Sequence, residues 1–300
     1  MTTKNRSGLL IALSAGGKNH ELAPQGIGEE HVEELMVRMS MRLLADGHRL
    51  SFGGTLGIAN QPLTEYLIDA CQKWLDKESA SQVDVTRPMT WPLVNYSAWP
   101  HYSNISEEQR ARLVGICQFV DIDPKGVTRS QLDAATDSAT RNRYGADALT
   151  TMRELSAREA DLRVVWGGRI KGAAGWMAGI LEEVALSLEQ NRPVLILGGF
   201  GGCARLIADF LVAENAPWPN AMSLEASADT ERDAGLTQKQ RETLGDRFSD
   251  IKKGLTEFRR SIWHDEQTNG VSSKVIQQSL LDDNARSVIN TTATVAQSLH

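Results

Sequence analysis

Four clusters of paired glycines are spread along this sequence, and each offers a means of holding an anion. They are Ser14-Ala15-Gly16-Gly17, Gly53-Gly54-Thr55-Leu56-Gly57, Gly167-Gly168-Arg169 and Gly198-Gly199-Phe200-Gly201-Gly202. Without a Cβ the backbone can approach a phosphate closely, and a helix starting just beyond adds free N–H groups and a positive dipole end. One glycine pair carries no such meaning, because glycine also ends strands for turn geometry alone. Four together point to an anionic, nucleotide-like ligand. Three cations accompany them. Arg169 follows Gly167-Gly168 directly, and its planar fork suits a phosphate better than a surface ion pair. Lys18 follows Gly16-Gly17, where an exposed loop lysine is the plainer alternative. Arg153 has acidic neighbours, Asp147 and Glu154, that would serve equally as partners.

The elements that would position these clusters follow from periodicity. Gly8–Leu13 is a short apolar run ending at Ser14-Ala15-Gly16-Gly17, and Val32, Leu35, Met36, Met39 and Leu43 mark a helix over Glu29–Ala45 that Gly47 stops. His48–Phe52 reads as the next strand, followed by a helix carrying Leu63, Leu67, Ala70, Cys71 and Trp74. The pattern resumes with strands at Leu162–Trp166 and Pro193–Leu197, a helix bearing Met177, Ile180, Leu181, Val184 and Leu188, and another bearing Cys203, Leu206, Ile207, Phe210 and Leu211. Strand, glycine turn, helix, strand with short connections means parallel βαβ units, whose carboxyl ends share one edge where ligands bind. Between the halves, Ser79–Lys125 lacks clean periodicity, although Arg112–Asp121 could hold one more strand; Thr128–Ala160 reads as helical with a break near Gly145. The predicted fold is a Rossmann-like, doubly wound α/β domain over residues 1–220 with a helical C-terminal appendix over 221–300.

A net charge of −6 disfavours nucleic acid and anionic membranes as partners. No apolar run reaches the roughly 18 residues of a membrane span, and Met1–Gly8 leads into no export-type apolar region, so a cytoplasmic protein is expected. Cys71, Cys117 and Cys203 form no C-x-x-C pair and sit among apolar neighbours, as reduced buried thiols do. The six histidines are scattered without H-E-x-x-H spacing, so no metal is expected. No G-x-S-x-G elbow appears. Gly16-Gly17-Lys18-Asn19 lacks the Walker A frame, and Gly53-Gly54-Thr55-Leu56-Gly57 departs from G-x-G-x-x-G, which argues against a dinucleotide oxidoreductase. Trp91, Tyr96, Trp99 and Tyr102 could make a base-stacking lid; a flap packed on its own domain is the simpler reading. Arg205 and Asp209 are expected to form a surface i,i+4 pair.

Residues 8–214 resemble the SLOG superfamily of Rossmann-like nucleotide-binding domains, which includes the lonely-guy phosphoribohydrolases and the DNA-processing Smf proteins. Phe52-Gly53-Gly54-Thr55-Leu56-Gly57 and Leu197-Gly198-Gly199-Phe200-Gly201-Gly202 carry the resemblance most strongly. Met152-Arg153, Gly167-Gly168-Arg169 and Gly179-Ile180-Leu181-Glu182-Glu183 are similar to the bacterial conflict-system branch in particular. The resemblance implies binding of a nucleotide or NAD-like molecule as ligand or substrate, with no separate cofactor, and an antiphage effector role with a defence-system partner. Lonely-guy hydrolases carry P-G-G-x-G-T-x-x-E, where this chain has Leu197 for the proline, Gly202 for the threonine and Arg205 for the glutamate. Their mechanism therefore does not transfer directly, and a carboxylate for N-glycosidic cleavage would come from Glu182 or Glu183. Such a group could stabilise an oxocarbenium-like sugar or activate water, with Arg169 assisting at the ligand edge. Both glutamates fall off the apolar face of their helix, so spacing does not choose between them; a solvated pair favouring the helix start is the plain alternative. A non-catalytic sensor that passes a nucleotide signal to a partner is the competing function.

Beyond residue 220 the glycine-ended strands stop. Leu244, Phe248, Ile251, Leu255, Phe258 and Ile262 follow the narrow spacing of a coiled-coil seam, and Val271–Gln297 reads as a second, less regular helix. A seam so narrow wants another helix, which Val271–Gln297 could supply within the chain; its irregular apolar residues make a second chain the expected partner, in a homo-oligomer assembled partly through residues 240–265.

Overall fold

The computed structural model describes residues 8–16, 23–24, 26–54, 62–80 and 91–299. Gly17, Lys18, Thr55 and Gly57 lie outside the described residues.

The first half runs β1 (Leu10–Gly16), α1 (Glu29–Ala45), β2 (Arg49–Phe52), α2 (Pro62–Ala80), β3 (Leu93–Ala98), α3 (Glu107–Arg112), β4 (Cys117–Ile122), α4 (Arg129–Ala134) and α5 (Ser138–Glu159), with β1 to α2 where the periodicity puts them. The second continues with β5 (Leu162–Gly167), α6 (Gly179–Glu189), β6 (Val194–Leu197) and α7 (Gly202–Leu211). After these come α8 (Gln238–His264), a small antiparallel hairpin of β7 (Gln267–Thr268) and β8 (Val271–Ser272), α9 (Ser273–Ser279) and α10 (Ala285–Ser298). Six strands form one sheet in the order β4-β3-β2-β1-β5-β6, and every pair is parallel. The chain walks outward from β1 to β4, then returns to add β5 on the other side of β1. The carboxyl ends of β1 and β5 therefore flank a topological switch point.

Alternation along β5 shows what covers each face. The Trp166 indole donates to the Val32 carbonyl of α1, whereas Arg163, of opposite parity, reaches Ser156 of α5 and Ser187 of α6. Every residue of β5 is buried, as both-face coverage of a parallel strand requires.

Three local expectations are corrected. β3 lies inside the stretch read as irregular, and all six of its residues are buried. Asn95, Tyr96 and Ser97 interrupt its apolar run, which hid it. The strand sought over Arg112–Asp121 starts later, at Cys117, because Arg112 still belongs to α3. The break in the long helical stretch falls at Ala135–Asp137 instead of Gly145; Asp137 caps α5 by accepting from the Thr140 N–H at 2.7 Å, and the helix runs on through Gly145.

The seam on α8 finds its partners within the chain, one of them α9 from the Val271–Gln297 stretch, so the preference for a second chain is corrected. Phe248, Ile251, Leu255, Phe258 and Ile262 are buried against the chain's own α6 and α9, in the same apolar core as Leu13, Trp166 and Leu195. A second chain is not needed to cover them. α10 packs against α1, and α9 against β6. Val271 belongs to the hairpin, so helix resumes only at Ser273 and breaks again before Ala285.

Tyr96 and Trp99 pack into a second cluster with Leu132, Ala148 and Met152; Tyr96 does so from β3, a strand of the sheet, so it belongs neither to a lid nor to an irregular flap. Cys71, Cys117 and Cys203 are free, buried thiols, each pushed up to about 12 chiefly by burial. Among the described residues no helix is long and apolar enough to cross a membrane.

Candidate functional site at the carboxyl edge

The switch point is built from glycine backbones in close approach. Gly16 lies in register with Gly167, and its carbonyl accepts from the Gly168 N–H at 3.1 Å. Gly202, at the start of α7 with φ +64°, leaves no room for a Cβ, which would stand 2.5 Å from the Gly168 carbonyl oxygen. Part of what the glycine clusters do is therefore structural: they let β1, β5 and α7 crowd together at one edge.

The β6 cluster differs. A Cβ on Gly198 would lie 2.5 Å from the Leu280 carbonyl oxygen, and one on Gly199 would lie 2.5 Å from the Asp282 carbonyl carbon. The segment joining α9 to α10 rests directly on this loop, and Gly198, Gly199, Gly201 and Gly202 are all buried. In this structure those glycines receive protein backbone.

On the α5–α6 face just below the edge, five charged side chains meet. Glu182, in the first turn of α6, is fully buried and takes the Thr150 hydroxyl at 2.7 Å, Arg247 of α8 at 2.6 Å, and Arg153 of α5. Its oxygens are committed. Glu183, the next residue, turns another way. It retains 13% exposure and stands 3.8 Å from Arg153 Nε and 3.6 Å from Arg163 Nη1, too far for hydrogen bonds. One of its oxygens lies 3.9 Å from the place a Cβ on exposed Gly53 would occupy.

Arg163 is held by hydroxyls. It donates to Ser14 and Ser187 at 2.7 Å each and to Ser156 at 3.0 Å. Burial lowers its pKa, and Glu183 counters that shift. The Arg153 guanidinium fills the space that side chains at residues 175 and 179 would need; a Cβ at Gly179 would stand 2.8 Å from its Nη2. The Nε of Arg153 is buried without a hydrogen-bond partner among the described residues. Arg153 therefore pairs with Glu182, and neither Glu154 nor Asp147 takes it. Asp147 instead accepts from the Trp176 indole at 2.8 Å, and burial raises its pKa above the ordinary carboxylate value. Arg232 stacks 5.0 Å above the Trp176 ring and donates to the Gly175 carbonyl, which fastens the β5–α6 loop to the C-terminal segment.

The residues singled out in the sequence thus separate. Ser14, Gly16, Gly53, Arg153, Gly167, Gly168, Glu182 and Glu183 gather around the ends of β1, β2 and β5. Gly54 is held at the β2 end, where its carbonyl accepts from the Asn95 amide at 3.0 Å. Arg169 is exposed beyond Gly168 and has no partner among the described residues. Arg205 and Asp209 form the expected helix-surface pair at 2.7 Å. Arg163, Ser156, Ser187, Thr150 and Arg247 were not singled out. An arginine inside the strand run Leu162–Trp166 was the one available signal, since a charge in a doubly covered strand demands partners.

A groove of about 540 Å³ lies elsewhere, between the far end of α6 and α8. Glu189, Asp250 and Glu257 outnumber its Lys253, which is the wrong charge for a phosphate. Among the described residues no cluster of His, Cys, Asp and Glu could hold a metal ion.

A search of curated proteins gave no match. The model of the SLOG cluster2 family matches residues 5–270, which takes in the whole sheet, both glutamates and all of α8. With a match over most of its length, this chain belongs to the SLOG family, a family of nucleotide-related binding domains.

Proposed function

We propose that this protein binds a phosphorylated nucleoside across the ends of β1, β2 and β5 and cleaves or transfers at its N-glycosidic bond, with Glu183 as the working carboxylate. One observation carries the choice. Glu182 has both oxygens engaged by Thr150, Arg153 and Arg247, whereas Glu183 is partly exposed and, among the described residues, bonded to nothing at hydrogen-bond distance. In hydrolysis, water replaces the base at the anomeric carbon and the base leaves with a proton. A carboxylate beside that carbon offsets the positive charge that develops on the sugar or takes the proton from the attacking water. Arg169, exposed past Gly167-Gly168, would meet the phosphate. The conflict-system likeness extends this reading to antiphage defence, with base or nicotinamide release as the effector step.

The test is to release and identify what the purified protein carries, then to assay a panel of nucleotides and NAD. Free base with sugar phosphate is expected for the parent, and a ~10²–10⁴-fold slower rate for Glu183→Gln. Full activity in Glu183→Gln would remove Glu183 from the chemistry. A sensor reading is favoured by a different contact: Arg247 brings α8 into the charge cluster one residue from Glu183. Intact nucleotide bound by a parent that turns nothing over would select that reading.

A further inference from the structure

The loop from β5 to α6 lies over part of the charge cluster as a separate leaf. Its ends are pinned, because Ile170 and Met177 are buried in the common core. Between them Lys171, Gly172 and Ala174 are exposed, and Gly172 takes φ +66° with open space beside it. The far end of the leaf covers Arg153, since a Cβ at Gly175 would stand 2.7 Å from the Arg153 Nη1. Two groups hold that end down. Asp147 of α5 accepts from the Trp176 indole at 2.8 Å, and the Arg232 guanidinium stacks 5.0 Å above the same ring while donating to the Gly175 carbonyl.

Arg232 does not depend on this loop for its own order. Its other donors go to the Ser227 carbonyl at 2.8 Å and to the Asp233 carboxylate at 2.8 and 3.2 Å, and its backbone N–H goes to Asp229. Arg143 of α5 ties the same segment down separately, through the Ala234 carbonyl. On the Arg232 side, one stack and one hydrogen bond therefore join two parts that each have bonds of their own. They can separate without unravelling either. Separation would lift Gly175 off Arg153, the neighbour of Glu183. We infer that Lys171–Trp176 is a gate over the charge cluster and that Arg232 is its latch, so that the segment leading into α8 sets how often the cluster opens. The use of this gate to admit a nucleotide rests on the function proposed above; the latch itself does not.

Phenylglyoxal, which modifies accessible guanidinium groups, tests the latch on the full chain without any ligand, with each arginine followed by mass spectrometry. In the parent, Arg153 should react slowly beside exposed Arg158. In Arg232→Ala it should react about 10-fold faster, the weight of one stack and one hydrogen bond. Arg163, held by Ser14, Ser156 and Ser187, is the control and should stay slow. Arg232→Lys keeps a charge near the ring but loses the fork, so its rate should fall between the two; it carries the test alone if the alanine variant does not fold. An unmoved Arg153 rate would overturn the latch. So would Arg163 speeding up together with Arg153, since that is general loosening. Stopped-flow binding of a nucleoside monophosphate supplies the second arm. Arg232→Ala should speed association and dissociation together and leave Kd within a few-fold, as a freer gate does. Unchanged rates beside faster Arg153 labelling would overturn the gate's control of entry. No binding by the parent would sink the nucleotide reading, and the labelling would still decide the latch.

Discussion

Along the carboxyl edge, the ends of β1, β2 and β5 and the end of β6 carry the same kind of glycine cluster but meet different neighbours. At β6 the loop is pressed against Leu280–Asp283, and backbone from the C-terminal segment fills the space a side chain would take. At β2 and β5 the glycines, Gly53 exposed among them, border partly exposed Glu183 and Arg169, which is unpaired among the described residues. The same contrast recurs between adjacent residues of one helix, since Glu182 is sealed by three partners and Glu183 keeps some exposure and only long contacts to Arg153 and Arg163. Glycine therefore marks close approach, and only the neighbours decide whether protein or ligand does the approaching.

The sealed side is where substitutions should cost stability. The largest effect is expected on α8. Ile251 is 3% exposed within the common core, so Ile251→Asp buries a charge with no partner. A loss above about 4 kcal/mol is expected, and the chain should unfold where an interface mutant would merely dissociate. Light scattering together with circular dichroism separates the two outcomes, and folded monomers from a parent oligomer would restore the seam to an interface.

Next in size is Glu182→Ala. It leaves Arg153 and Arg247 without their shared carboxylate in a buried site, which typically costs about 3–5 kcal/mol. Glu183→Ala removes only contacts longer than 3.5 Å and should cost far less. Denaturant midpoints for the two variants measure the difference. Equal losses would mean that Glu183 is as structural as its neighbour.

These contrasts also explain what sequence reasoning reached. β1, α1, β2, β5, β6 and α7 announce themselves because each has a clean apolar run or stripe with glycine at one end. β3 does not, because Asn95 and Ser97 are buried polar residues; the Asn95 amide holds the β2 end through the Phe52 and Gly54 carbonyls, a role invisible to periodicity. The partner of the α8 seam was hidden for a related reason. α6 buries Ile180, Leu181, Val184, Ala185 and Leu186, more than one stripe's width, because it lies between the sheet and α8. That breadth was the available signal for a second layer within the chain. The choice between Glu182 and Glu183 had no signal at all, since it depends on Arg247, about 65 residues away in sequence.

A smaller effect should come from Gly199→Ala. Its methyl would press on the Asp282 backbone, which cannot swing aside as a side chain tip would, and overpacking of this kind costs about 1–3 kcal/mol. Hydrogen exchange should show the Leu280–Asn284 segment loosened, with nucleotide affinity within a few-fold of the parent. Unchanged stability with lost affinity would instead make the β6 loop a ligand cradle.

The smallest stability effect, and the sharpest probe of the open side, is Arg169→Ala. Arg169 is exposed and makes no ion pair among the described residues, so its removal should shift stability by no more than about 0.5 kcal/mol. If its fork holds a phosphate, affinity for a nucleoside monophosphate should fall about 10-fold, while the bare nucleoside binds as before. Salt supplies an internal check. An exposed arginine–phosphate contact is screened over a Debye length of about 8 Å at physiological ionic strength, so the parent's preference for the phosphorylated ligand should narrow as salt rises. In Arg169→Ala that salt dependence should flatten, because the charge responsible is gone. Should the variant keep both the preference and its slope, the phosphate is held by backbone amides at the glycine turns, and Arg169 is a bystander on the surface.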